Sequence, residues 1–150
     1  MSDHKGWDHA FTANDLYGTV KGSPSYAGAL SFMRRKFTRD LEGVDVAVVG
    51  IPLDIATTNR PGARFGPRAI RAASAGISWE RPWPWGFDPF DQLAVVDYGD
   101  CEFDYGEPET IVPFIEKYIA TILDSGAASL VLGGDHFVSH PVLKAYAAVH

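Results

Sequence analysis

Three apolar runs separated by helical patterns organise the chain. Residues 44–51 read Val-Asp-Val-Ala-Val-Val-Gly-Ile, an almost continuous β-branched stretch closed by Pro52. A strand covered on both faces has this pattern. Residues 93–100 (LAVVDYGD) and 129–132 (SLVL) repeat it. Between the first two runs, Pro67 opens a helical segment that continues over 68–74 with Gly76 as its stop, since a proline in the first turn loses no hydrogen bond. Ile111, Ile115, Tyr118 or Ile119, and Ile122 recur at helical spacing and predict a helix over 109–125, with Pro113 tolerated in its first turn and Ser125-Gly126 ending it. A last helix is expected from near Pro141, capped by Ser139 or His140. Residues 79–92, rich in tryptophan and proline, read as a long aromatic loop.

This order of strand, helix, strand, helix, strand, helix predicts an α/β fold with a parallel sheet and helices on both faces. Residues 1–43 show no strong period and read as an N-terminal arm, with one helical turn inside LSFMRRKF. Residues 44–150 form the α/β part. Three strands make a small sheet with exposed edges, so the chain reads as cut short after about three strands.

Composition narrows the function classes. The chain is 46% hydrophobic and 21% charged, which argues against disorder. A net charge of -6 offers no basic field for nucleic acid or an anionic membrane. Cys101 is the one cysteine, which excludes an intrachain disulfide and a cysteine-rich zinc site. Residues 1–10 lack the apolar core of a secretory signal, and no stretch is long enough to span a bilayer. A cytoplasmic location is expected.

Ligands of open α/β sheets gather beyond the carboxyl ends of the strands. Three segments arrive there: residues 50–68, 97–104 and 133–140. In Gly133-Gly134-Asp135-His136 the glycines allow a tight turn straight off a strand. The turn then holds either a polar cap for the next helix or a histidine offered to a metal and oriented through its second ring nitrogen. The GxGxxG and GxxxxGK[ST] spacings of nucleotide loops do not occur. In NRPGARFGPRAIR (residues 59–71), Asn59, Arg64 and Arg68 are candidates for an active-site rim, with solvated or ion-paired arginines as the alternative. Asp97 and Asp100 form a carboxylate pair suited to acid–base work, to a metal, or to capping the turn that follows.

Taken together, GIPLDIATTNRPGARFGPRAIR, the Trp79-Glu80 pair, LAVVDYGD and LVLGGDHFVSHPVLKAY resemble the ureohydrolase family of arginases, agmatinases, guanidinobutyrases and formiminoglutamases. The resemblance runs from about residue 30 to the end. Trp79-Glu80, PWGFD (residues 84–88) and GGDHFVSHP are most similar to the agmatinase branch. It implies a three-layer α/β/α sandwich and two Mn²⁺ ions bridged by a hydroxide that attacks a guanidinium carbon and releases urea. It also implies a trimer or hexamer. His136 matches the family's first metal-binding histidine, with Asp135 supporting it. The family's Asp-Ala-His-x-Asp and Asp-x-Asp-x-x-Asp-Pro motifs do not occur here, so one metal ligand and no catalytic residue are expected within these 150 residues, which alone are expected to be inactive. Hydrolysis of another guanidino acid, and a non-catalytic family subunit, are the alternatives the same residues allow.

Overall fold

The computed structural model describes residue 16, residues 26–77 and residues 81–149. His4, His9, Trp79, Glu80 and His150 lie outside the described residues. Strands β1 (Val46–Ile51), β2 (Val95–Asp100) and β3 (Ala128–Gly133) pair in parallel in the order β2-β1-β3. Helices α1 (Gly66–Ser74), α2 (Pro108–Asp124) and α3 (Ser139–Val149) complete the alternation.

The central strand explains its own sequence. Ala47, Val49 and Ile51 point into one cluster with Ile111, Ile115, Ile119 and Ile122 of α2 and Ala145 of α3. Val48 points the other way, onto Phe90, Val95 and Leu132, with Phe32 and Met33 beside them. Alternate side chains of a strand face opposite layers, and both layers are filled, so no position in the run is left for a polar side chain. On the second face α1 packs against the short turn Phe32–Arg34, whose Met33 and Arg34 have positive φ in place of the helical turn expected there, as well as on β1 and β3. The architecture is therefore three-layer α/β/α, as the order of elements predicts.

The arm lies along the sheet. Asp97 N–H donates to the Lys36 carbonyl at 2.9 Å and Thr38 N–H to the Asp97 carbonyl at 3.1 Å. This segment covers the outer edge of β2. Among the described residues nothing pairs with the outer edge of β3.

Element boundaries shift where side chains intervene. Asp45 lies ahead of β1 because its carboxylate accepts from Ala94 N–H at 2.8 Å, clamping the two strand starts together. Helix α1 stops at Ser74 and tightens into a 3-10 turn, Ala75–Ile77, that contains Gly76. The aromatic loop holds one 3-10 turn, Pro89–Asp91, capped by the Asp88 carboxylate, with Phe90 buried beneath the Arg35 guanidinium at 4.1 Å. The largest correction concerns the last helix. Neither Ser139 nor His140 caps it. The chain turns helical at His136, and a 3-10 turn over His136–Val138 leads directly into α3. Asp135 is the cap: its backbone is extended and its carboxylate accepts from Phe137 N–H at 3.0 Å, the favoured role of a short acidic side chain at a helix start.

Candidate functional site

The turn after β3 is built from close backbone approach. Gly134 has φ +29°, and a Cβ there would lie 2.5 Å from the carbonyl oxygens of both Ile51 and Leu53. Glycine is required because β1's exit passes directly beneath. A Cβ on Gly66, the first residue of α1, would lie 2.7 Å from the Gly133 carbonyl. The exits of β1 and β3 and the start of α1 are thus stacked at one point.

Asp135 is buried and ties these pieces together. Its N–H donates to the Leu53 carbonyl at 2.8 Å, one carboxylate oxygen accepts from Ala56 N–H at 2.7 Å, and the other caps Phe137. His136, one residue on, is exposed. It lines an open cleft of about 570 Å³ with Gly133, Gly134, Ser139 and Leu143. Its Nδ1 lies 3.3 Å from the Ser139 hydroxyl, which leaves Nε2 as the nitrogen available to the cleft.

The loop from β1 to α1 flanks this turn. Asp54 is buried, and one of its oxygens accepts from Gly62 N–H at 2.7 Å and from Arg64 Nε at 2.9 Å. Burial pushes the Asp54 carboxyl upward, but the bonds from Arg64 and from the Gly62 and Arg64 amides outweigh it and hold the group below the usual aspartate range. Asn59 stands exposed midway along this loop. Arg64, a rim candidate by sequence, is the ion-pair partner of Asp54.

Arg68 lines a different cleft, of about 650 Å³, with Arg39, Arg71 and Asp100. Two of its arginines are engaged. Arg39 donates to the Asp100 carbonyl at 3.2 Å and lies 4.6 Å over the Tyr98 ring. Arg71 forks onto Asp97 at 2.7 and 2.9 Å and reaches Asp100 at 2.6 Å. Burial alone would lower the Arg71 pKa; the two carboxylates outweigh it and raise it. Asp97 also accepts from Phe32 N–H at 2.6 Å and Gly99 N–H at 2.9 Å. The carboxylate pair of the sequence is therefore the ion-pair partner of Arg71, with Asp97 buried and saturated and Asp100 partly exposed, and Arg71 is a residue that sequence reasoning left within its motif without a role.

Among the described residues no three His, Cys, Asp or Glu side chains stand together as a metal cage. His136 fits as a single imidazole donor on the cleft, and these residues do not by themselves make a two-metal centre. Asp135 is spent on backbone amides and supports the turn.

Residues 44–150 match the model of the arginase family. The chain belongs to the arginase family. An agmatinase of Chromobacterium violaceum is 59% identical over 148 residues, which are 98% of this chain and 46% of that protein. The crystal structure of a hypothetical agmatinase from Burkholderia thailandensis superposes with a TM-score of 0.91 at 55% identity, covering 95% of this chain and 45% of that one. Proclavaminate amidino hydrolase of Streptomyces clavuligerus follows, with a TM-score of 0.76 at 35% identity over 85% of this chain and 42% of that one. A Trypanosoma cruzi formiminoglutamase solved with Mn²⁺ gives 0.62 at 26% identity, covering 72% and 36%. This arginase-family chain therefore spans under half the length of the agmatinase it most resembles among these. No helix among the described residues is long and apolar enough to cross a membrane.

Proposed function

We propose that the complete protein is an agmatinase-like hydrolase, cleaving a small guanidino compound to an amine and urea. The observation that carries this reading is the placement of His136: a rigid glycine turn presents its imidazole to an open cleft beyond the carboxyl ends of the strands, in a chain closely similar to an agmatinase. In this reading His136 gives one donor to a centre of two Mn²⁺ ions, and the remaining donors come from outside the described residues. Bound manganese would supply hydroxide near neutral pH. The contribution of this chain is geometric: Gly134 and Asp135 fix the turn, and Ser139 orients the ring. Residues 1–43 act as an arm and 44–150 as the N-terminal part of the α/β domain. Asn59 and Arg64 belong to the rim and its support, and Arg68 to the neighbouring cleft. A cytoplasmic homo-oligomer, trimeric or hexameric, accords with this reading.

Urea release from agmatine and from 4-guanidinobutyrate, measured on full-length protein together with its manganese content, tests it. Agmatine is expected to be the better substrate. His136→Ala should lose about one of two manganese equivalents and at least about a hundred-fold in rate. No urea from either compound and no bound manganese would leave a non-catalytic subunit instead.

A further inference from the structure

The loop over residues 55–61 has an unusual attachment. Its side chains contribute little to the core: residues 58–61 are all exposed, and so is Ile55. It is held instead at its two ends by buried carboxylates that take backbone N–H groups. Asp135 holds Ala56 N–H and Asp54 holds Gly62 N–H, each at 2.7 Å. Gly62 has φ +138°, a conformation that aims its amide back at Asp54 and that residues with side chains rarely adopt. Asp54 also fixes Arg64 in the turn that opens α1. The two tethers differ in reach. Asp135 sits beside His136 and joins the loop to the histidine turn, whereas the carboxylate of Asp54 reaches only the far end of the loop and Arg64.

We propose that Asp54 is a positioning residue for substrate, acting through the loop that it tethers and independently of the metal-binding turn. The loop's exposed centre carries the amide of Asn59 and the guanidinium of Arg60. With no apolar anchor beneath them, their place at the rim depends on the hydrogen bonds at the loop ends. Releasing the Asp54 end frees these polar groups while Asp135 still caps Phe137 and fixes His136. The cost therefore falls on substrate capture and not on metal retention or on the chemical step.

This inference rests on the hydrolase reading. It is tested in full-length, manganese-loaded protein with Asp54→Asn, which removes the charge, Arg64→Met, which removes only the ion pair, and Asp135→Asn, which weakens both the near end of the loop and the cap of the histidine turn. For agmatine, Asp54→Asn is expected to raise KM about ten-fold with kcat within about two-fold of wild type. Manganese content should be unchanged, and Arg64→Met should raise KM by a smaller factor. Asp135→Asn should lower manganese retention as well. Should Asp54→Asn not fold, Arg64→Met, a change at a half-exposed side chain, carries the test. An unchanged KM in the folded variants, or a loss of manganese and kcat in Asp54→Asn equal to that in Asp135→Asn, overturns the assignment. A wild-type protein that releases no urea overturns the hydrolase reading, and the positioning role falls with it.

Discussion

Asp97 has no exposed surface and sits within the second strand of the sheet. Four donors surround it: two guanidinium nitrogens of Arg71 and the amides of Phe32 and Gly99. A buried ion pair adds little over a well-packed apolar pair, but removing one member strands the other charge in a low dielectric. Arg71→Met is therefore expected to cost about 3–5 kcal/mol in chemical denaturation. Arg71→Lys, which keeps the charge but loses the planar fork, should fall between the two. A loss below about 1 kcal/mol for Arg71→Met, the level of a surface pair, would show that the Asp97 charge is not held as the geometry indicates. This network was hidden in the sequence for a simple reason. Arg71 and Asp97 are 26 residues apart, and their pairing exists only once α1 has packed onto the sheet. The rim arginines fared differently for the same cause: Arg64 finds its carboxylate ten residues away in its own loop, and Arg68 lies on the other side of α1's start, in the neighbouring cleft.

At the scale of elements, strands and the long helix were legible because burial on two faces, or on one helical stripe, writes itself as an apolar period. The start of the last helix was not, since the chain offers three polar residues that can cap (Asp135, Ser139 and His140) and only the tertiary position of Leu53 and Ala56 selects Asp135. The same junction makes a prediction about the turn before it. Gly134 combines a positive φ with two carbonyl oxygens where a side chain would go. Both neighbours are backbone of the β1 exit and cannot rotate aside. Gly134→Ala is expected to destabilise by about 2–4 kcal/mol, from overpacking and backbone strain together. Gly126, which also has a positive φ but open space around it, is the control: alanine there should cost only about 1 kcal/mol. Equal losses at the two positions in thermal or urea unfolding would remove close packing as the reason for the glycine turn.

Across the described residues as a whole, the two edges of the sheet are treated differently. The arm shields β2 through the bonds of Lys36 and Thr38 to Asp97. On the other side β3 presents its backbone groups beside Leu130, 43% exposed, and Leu143 of α3, 66% exposed. Native edges of this kind are protected by charge, proline or a bulge, and β3 has none of these in Ala-Ser-Leu-Val-Leu-Gly. An apolar strand whose outer edge has no partner among the described residues is a template for another chain. Residues 1–150 produced alone should therefore self-associate as concentration rises, through strand pairing at β3. Replacing Leu130 by lysine places a charge on the exposed edge while leaving the buried Leu132 untouched, and should shift the association to at least about ten-fold higher concentration. Sedimentation velocity across a concentration series reads this directly. Association that persists unchanged in Leu130→Lys would locate the contact elsewhere, for instance at the exposed Trp83 and Trp85 of the aromatic loop. A chain monomeric at all concentrations would mean that the β3 edge is shielded by residues outside those described.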